Sequence, residues 1–333
     1  MAMGTVPRKW VLLLYNISFL NTPLPIFLTG FSMWRYLPVV FCTLAIGFGS
    51  SARAAQEPVV LASIKPLQLL AAAIMEGGDE PGLLVPVGAS PHDYSLRPSD
   101  LKRVKTAGVL FWVGPALEPY LQKLASQLPA GAIEQHFLEA GEGEASAHGH
   151  GHDEAHHHGE ADLHLWLDPD QGRRIARTMA AVLATRDSAN AERYQRNLER
   201  FEARLDAVIE RNRLRLSLPA ERHLFVFHDA YQGLESFYGV KIEGAVTLSP
   251  EMQPGTRHLL QLRQRLQQAG PSCLLTEPQF PSAMVKRLTE GLDIRLGEID
   301  PLAGNVPAGP EGYLQHQLQL VERIADCTRP TTQ

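Results

Sequence analysis

The sequence predicts an α/β protein with two doubly wound, Rossmann-like lobes joined by a long rigid helix. Short apolar runs alternate with helical patterns from Val59 onward, a purely helical stretch follows between Asp170 and Pro219, and the alternation then returns. Strands that alternate with helices imply βαβ units and a mostly parallel sheet. With 333 residues, the chain is long enough for two lobes that each bury a core.

The N-terminal lobe is predicted to span residues 58–186. We assign VVLASI (59–64), LLVPV (83–87) and VLFWVG (109–114) to strands, because each is a short apolar run. The segments KPLQLLAAAIMEG and LKRVKTAGV between them have helical patterns. This gives a parallel sheet with a helix crossing over between successive strands.

Residues 187–218 are predicted to form the linking helix. A narrow apolar stripe recurs along an otherwise charged sequence at alternating spacings of four and three residues. The stripe consists of Tyr194, Leu198, Phe201, Leu205, Val208 and Asn212. An ordinary surface helix would show the same pattern. A helix of roughly thirty residues, ~45 Å long, could however run along a whole lobe or join two, and we favour the joining role.

The C-terminal lobe is predicted to span residues 219–330. The runs HLFVFHDAY, SCLLTEPQF and IRLGEIDPL are each typical of a strand followed by a turn. Between them lie two helical segments, which end at Gly270 and Gly291. Two such lobes leave a crevice between them, and open parallel sheets bind ligands beyond the carboxyl ends of their strands.

Residues 1–54 are predicted to be a leader peptide. Arg35 precedes the apolar run Leu37–Phe48, and the small residues after it end in an A-x-A pattern, with cleavage after Ala54. The run is too short to span a bilayer comfortably. Either the leader is long or the true start is Met33, and we favour Met33.

Removal of the leader leaves two cysteines, Cys273 and Cys327. In an oxidising compartment an isolated pair is most simply a disulfide, which would stabilise the fold by about 4 kcal/mol in the chain-entropy model. Two unpaired thiols are the alternative. A zinc site built from cysteines would need ligands in pairs such as C-x-x-C, and the chain has none.

Three histidines share a setting that the others lack. His92 follows the strand LLVPV, His164 lies in LHLWLDP, which we predict to be a short strand, and His228 ends the strand HLFVF. Asp300 ends the strand LGEID, so all four could meet in the crevice. Three neutral imidazoles are a common donor set for zinc, and a carboxylate or a water completes the tetrahedron. Alternatively, each histidine is a strand-end residue that bonds to a backbone carbonyl.

A second group of histidines lies in a polar tract within a His-rich loop at 141–161. The group consists of His148, His150, His152, His156, His157 and His158. A tract of this composition buries too little apolar surface to be ordered. We expect it to bind several metal ions, each more weakly than a preformed site would, because the chain must become ordered on binding. A solvated insertion without a role is the alternative. The remaining histidines are interpreted as surface or core residues: His136, His223, His258 and His316.

The motifs around these residues follow one another in a characteristic order. They are ASPHDYSLRPSD, HLWLDP, FVFHDAY, PEMQPG, EPQF and DPL, with the histidine-rich, acidic loop just before HLWL. At these residues the chain resembles the zinc-binding solute receptors (ZnuA type) of bacterial high-affinity zinc ABC importers, in the metal-receptor cluster (A-I, family 9) that also serves manganese. The resemblance covers nearly the whole mature chain. It implies two α/β lobes joined by a long rigid helix, metal in the cleft, and a disulfide at Cys273 and Cys327.

The resemblance also makes His92, His164 and His228 the metal ligands. Some relatives have a glutamate immediately before the first ligand histidine, where this chain has Pro91. The fourth position therefore falls to Asp300 or to water. Manganese receptors of the cluster replace the third histidine by a carboxylate, whereas His228 keeps the nitrogen-rich set that favours zinc.

We therefore expect a periplasmic receptor that captures Zn(II) as a transported ligand and delivers it to a cognate ABC permease in the inner membrane. We expect the protein to be a monomer and not to be an enzyme. An auxiliary periplasmic zinc chaperone is a further candidate partner. The net charge of -5 argues against a nucleic-acid partner. The alternatives are a receptor for manganese or another divalent metal, a metal-regulated adhesin or chaperone, and an exported zinc hydrolase. For a hydrolase Glu277 is the only obvious base, and we interpret it instead as a residue that supports a ligand or the structure.

Overall fold

The structure, a computed structural model, describes residues 60–138, 162–247, 254–278 and 282–329. The predicted leader with its cleavage site after Ala54 and the histidine tract from His148 to His158 lie outside these residues. Within the described ranges, no helix is both long and apolar enough to cross a membrane.

The first sheet is formed by residues of the predicted N-terminal lobe. Its strands are β1 (Val60–Ala62), β2 (Gly82–Leu83), β3 (Val109–Trp112) and β4 (Ile133–His136). The helices between them are α1 (Lys65–Ile74), α2 (Pro98–Thr106) and α3 (Pro119–Ala125). All pairings are parallel, in the order β2-β1-β3-β4. The strand predicted at 83–87 is shorter than expected. The N–H groups of Leu84 and Val85 still donate to the carbonyls of Ala62 and Ser63, but Pro86 has no N–H with which to continue the ladder.

The second sheet has the same architecture. Its strands are β5 (His223–His228), β6 (Ile242–Thr247), β7 (Ser272–Thr276) and β8 (Ile294–Glu298). The helices are α6 (Gln232–Tyr238), α7 (Thr256–Ala269), α8 (Ser282–Thr289) and α9 (Gly312–Thr328). The strands are again parallel, in the order β6-β5-β7-β8. The predicted pair of parallel α/β lobes is therefore confirmed.

Two long helices occupy the middle of the chain, α4 (Pro169–Arg186) and α5 (Ala191–Leu216). α5 has 26 residues and is therefore about 39 Å long. All six positions of the predicted apolar stripe, from Tyr194 to Asn212, are buried. The helix packs against α1, α4 and α9, so it contacts elements next to both sheets. A 3-10 turn at Ser188–Asn190 occupies the start of the span that we predicted to be helical.

One hydrophobic core runs through both lobes. Its buried side chains come from β1, β3, α1, α4, α5, β5, β7 and α9, and two smaller clusters cover the outer faces of the two sheets. Because well-packed interiors deform little, this continuous core opposes a wide hinge motion between the lobes. The predicted disulfide is present between Cys273 in β7 and Cys327 in α9, and it fastens the last helix to the second sheet.

Candidate metal centre

Three histidines converge from three separate segments. His92 lies in the loop after β2, His164 precedes α4, and His228 is the last residue of β5. One ring nitrogen from each lies within 4.8 Å of the others. The Nε2 atoms of His92 and His164 are 3.3 Å apart, and the ring centroids of His164 and His228 are separated by 4.8 Å. Three imidazole nitrogens at this spacing can point at one ion.

The segment that carries His164 is not the strand that we predicted. Leu165–Leu167 form a 3-10 turn, in which the N–H groups of Leu167 and Asp168 donate to the carbonyls of His164 and Leu165. Asp168 then caps α4, because its Oδ1 accepts the N–H of Asp170 at 2.7 Å. These local bonds satisfy the backbone and leave no ladder for a strand.

The three histidines differ in exposure. His228 is 2% exposed and His164 is 6% exposed, whereas His92 is only half-buried. Two of the three candidate ligands therefore belong to the packed interior, and the third lies in a loop that reaches solvent. The centre is accessible from the side of His92.

Asp162 lies behind His164. Its Oδ1 accepts the backbone N–H of His164 at 2.9 Å and is 3.4 Å from the ring Nδ1. Its Oδ2 accepts the N–H of Gly233 in α6 at 2.8 Å. We did not predict this residue, and the only sign of it in the sequence is a carboxylate two positions before a ligand candidate.

Glu277 lies behind His228. Its Oε1 is 3.6 Å from Nδ1 of His228 and accepts the hydroxyl of Tyr231 at 3.0 Å. Burial, followed by the charge of Glu277, raises the pKa of Tyr231 well above its usual value, so the phenol remains a neutral donor. Glu277 itself is 6% exposed. The sequence predicted a supporting role for Glu277, and the structure places it behind a ring nitrogen of His228.

The two carboxylates determine the electrostatics of the centre. Asp162 and Glu277 together bring two negative charges close to the rings of His164 and His228. A divalent cation held by neutral imidazoles keeps its charge of two, and nearby carboxylates compensate that charge in a partly buried site. This arrangement of charges is compatible with a dication at the three histidines.

Asp300 is not part of the histidine cluster. Its Oδ1 accepts the N–H of Leu302 at 3.0 Å, and its Oδ2 accepts the N–H of Gly304 at 2.6 Å. The carboxylate therefore shapes the turn after β8, in which Ala303 adopts a positive φ of 56°. Both oxygens already have partners in this turn.

Asp300 nevertheless lines the crevice between the lobes. A cavity of about 100 Å³ is lined from the first lobe by Ile64, Lys65 and the 85–89 loop, and from the second lobe by Pro278, Asp300 and the 302–305 turn. Desolvation by burial lowers the pKa of Lys65, and the charge of Glu80 offsets part of this shift.

Trp166 fixes the His164 segment to the second lobe. The side chain is fully buried, and its Nε1–H donates to the carbonyl of Pro301 at 2.7 Å. The carbonyl of Trp166 accepts the hydroxyl of Tyr313 at 2.8 Å and the amide of Gln317 at 3.0 Å. Both donors belong to α9, whereas Pro301 lies in the turn after β8. The segment of His164 is therefore bonded to two different parts of the second lobe.

The other described histidines are apart from the cluster. His136 and His223 lie near the carboxylates of Glu134 and Glu243, and His258 is exposed. His316 is buried in α9, where its Nε2 lies 3.0 Å from the carbonyl of Asp300, and burial lowers its pKa. The four occupy surface or core positions, as we interpreted them.

The chain has well-matched relatives. Residues 60–327 match the family model described as zinc-uptake complex component A, periplasmic. A protein named high-affinity zinc uptake system protein ZnuA, from Brucella abortus (strain 2308), is 35% identical over 316 residues, which cover 84% of this chain and 95% of the relative. The protein of the same name from Yersinia pestis is 36% identical over 291 residues, with 81% and 91% covered. A crystal structure of ZnuA superimposes with a TM-score of 0.69 at 22% identity, covering 81% of this chain and 98% of that one.

Proposed function

The chain belongs to the ZnuA family of periplasmic zinc-uptake components, and on that premise we propose that it captures Zn²⁺ at His92, His164 and His228 and delivers it to an ABC permease. Proteins of this family are solute-binding receptors that work with such a permease. The observation that carries the assignment of the site is the convergence of three imidazoles within 4.8 Å, backed by two carboxylates.

The donor set favours zinc over manganese. Imidazole nitrogens suit zinc, copper and nickel, whereas manganese prefers carboxylate, carbonyl and water oxygens. The carboxylates of Asp162 and Glu277 lie on the far side of the rings, next to Nδ1, where they support the ligands. A manganese receptor would need at least one of them in the cluster itself.

We further propose that water completes the coordination of the ion. Both oxygens of Asp300 are engaged by backbone N–H groups, and the side chain is separate from the cluster. Ligation by Asp300 would require the turn at Leu302 and Gly304 to open. A water leaves the ion easier to release, which suits a receptor that must deliver its cargo.

Release requires a second conformation with weaker binding. The core shared by the two lobes opposes a wide hinge, and the interior segments of His164 and His228 are packed on several sides. The half-buried loop of His92 is the least constrained of the three. Movement of this loop would remove one ligand and open the centre toward the permease.

The remaining details follow from the same function. We propose that residues 1–54 form the leader removed on export, that the receptor acts as a monomer, and that an auxiliary chaperone supplies zinc in the periplasm. We also propose that it has no hydrolase activity. Glu277 lies next to Nδ1 of His228 and binds the hydroxyl of Tyr231, so it does not face the ion as a general base would.

The test is calorimetric titration of metal-free protein with Zn²⁺ and, separately, Mn²⁺. We compare the wild type with a variant in which His92, His164 and His228 are all alanine. We expect one tight zinc step that the variant lacks, and weaker manganese binding. Tight zinc binding that survives the triple substitution would place the metal elsewhere.

A second variant separates the cluster from the histidine tract. In it the six histidines from His148 to His158 are replaced by serine. The tight step should remain in this variant, while any additional weak steps disappear. Loss of the tight step here, with its retention in the triple variant, would reverse the assignment.

A further inference from the structure

We infer that Asp162 is a positioning residue that aligns His164 for the metal and couples it to the segment that follows His228. The inference rests on the proposed zinc site. It is carried by one carboxylate with two separate partners: Oδ1 contacts His164, and Oδ2 contacts Gly233 of the second lobe.

The first partner determines which ring nitrogen meets the metal. Oδ1 of Asp162 is 3.4 Å from Nδ1 of His164, so its negative charge favours a proton on that nitrogen. The lone pair is then on Nε2, which is the atom 3.3 Å from Nε2 of His92. The same Oδ1 accepts the backbone N–H of His164 at 2.9 Å, which fixes the residue itself. Ring and backbone are thus set by a single oxygen.

The second partner connects the two ligand segments. Oδ2 of Asp162 accepts the N–H of Gly233 at 2.8 Å, and Gly233 lies in α6, directly after the turn that follows His228. A Cβ at Gly233 would lie 3.1 Å from this Oδ2 and 3.0 Å from Cβ of Asp168, so glycine permits the close approach. Displacement of Asp162 would therefore shift His164 relative to His228.

Asp162 differs from Glu277 in what it links. Glu277 is buried, and its partners His228 and Tyr231 are neighbours in the chain. Asp162 has a side chain that is 20% exposed, and its partners His164 and Gly233 belong to different parts of the fold. Its removal should therefore loosen the geometry of the centre while leaving the packed core intact.

The experiment compares Asp162→Ala and Asp162→Asn with the wild type. Outer-sphere partners of a ligand histidine typically contribute about 10- to 100-fold to metal affinity, and we expect a loss in that range for both variants. Asparagine is nearly the same size as aspartate, but its NH₂ group would face the backbone N–H of either His164 or Gly233. It therefore cannot restore both contacts.

Zinc affinity is measured by competition with a chromophoric chelator. The matched control is Asp170→Ala, which removes an exposed carboxylate from the first turn of α4. We expect its zinc affinity to equal that of the wild type. An equal loss in this control would mean that the effect is one of overall charge, and the positioning role would be wrong.

A second measurement distinguishes alignment from a structural defect. The ring nitrogens of His164 are observed by NMR in metal-free protein at about pH 8, where a free imidazole is neutral, and are assigned with a His164→Ala sample. We expect the proton on Nδ1 in the wild type and a shift toward Nε2 in both Asp162 variants. An unchanged tautomer together with an affinity within about twofold of the wild type would overturn the inference.

These outcomes are separable from failure of the proposed function. If the wild type binds zinc weakly, or the triple histidine variant keeps tight binding, the zinc site itself is wrong. If the zinc site holds and the Asp162 variants behave like Asp170→Ala, only the role of Asp162 is rejected.

Discussion

The indole N–H of Trp166 donates to the backbone carbonyl of Pro301 at 2.7 Å, and this bond joins the segment of His164 to the residue that follows Asp300. It is a buried contact between the segment that carries His164 and the turn after β8, which lines the crevice. The ring of Trp166 also lies 5.4 Å from that of His164. The tryptophan therefore supports a ligand candidate and the turn after β8 at the same time.

We predict that Trp166→Phe lowers the free energy of unfolding by about 2–4 kcal/mol, because the carbonyl of Pro301 loses its donor and a cavity remains. Urea denaturation of the metal-free protein measures the change. Trp112→Phe is the matched control, since Trp112 is also buried but donates to the half-exposed carboxylate of Glu134, which water can solvate. A loss in the control equal to that at Trp166 would argue against a special role for the Pro301 contact.

Much of the fold was predictable because buried parallel strands appear as continuous apolar runs. β1 and β3 are buried throughout, and β5 is buried after its first residue. The missed strands, β4 and β6, lie at sheet edges, where partial exposure allows sequences such as IEQH and IEGAVT. Whether a strand lies at the edge of a sheet depends on which distant strands it pairs with. A local sequence pattern does not carry this information.

The convergence of the three histidines could also be predicted in part. His92 and His228 follow strands, and the rule for carboxyl ends of parallel strands brings them together. His164 was placed in the right region with the wrong local structure, because the turn at Leu165–Leu167 has a strand-like apolar sequence. Asp162 was missed because its second partner, Gly233, lies 71 positions away.

We predict that removal of the disulfide lowers the free energy of unfolding by about 4 kcal/mol in the chain-entropy model, since Cys273 and Cys327 are separated by 54 residues. The double variant Cys273→Ala/Cys327→Ala and the wild type are compared by urea denaturation with and without reductant. Reductant should destabilise the wild type and leave the variant unchanged. A wild type insensitive to full reduction would contradict the expected contribution.

If water is the fourth ligand, Asp300→Asn should reduce zinc affinity by less than about tenfold. This loss is smaller than the roughly 10- to 100-fold loss that is typical when an outer-sphere partner of a metal ligand is removed. The same change should lower the free energy of unfolding by about 1 kcal/mol, because asparagine can accept only one of the N–H groups of Leu302 and Gly304 through its carbonyl oxygen. His228→Ala provides the comparison for loss of a proposed ligand. If both variants lose affinity equally, Asp300 and not water completes the coordination.

The last prediction concerns Glu118, a fully buried carboxyl in the first lobe. Its Oε2 accepts the N–H of Val113 at 2.7 Å, its Oε1 accepts the hydroxyl of Tyr120 at 3.3 Å, and burial raises its pKa from 4.5 to about 7. The folded state therefore holds the proton more tightly than the unfolded state. The contribution of this proton to stability is complete below about pH 4.5 and is lost as the pH rises through about 7, a difference of about 3 kcal/mol. Glu118→Gln, which does not titrate, should remove this decline.

The difference between the wild type and Glu118→Gln isolates this group, because the other titratable groups contribute to both proteins. We expect urea denaturation from about pH 5 to about pH 8 to show the wild type losing stability relative to the variant, with the steepest change between the two pKa values of Glu118. Glu192→Gln, at an exposed position of α5, should follow the wild type at every pH. A constant difference between wild type and Glu118→Gln across this range would mean that Glu118 is already ionised in the folded protein at the lowest pH. The carboxylate would then be stabilised by the N–H of Val113 and the hydroxyl of Tyr120 despite its burial.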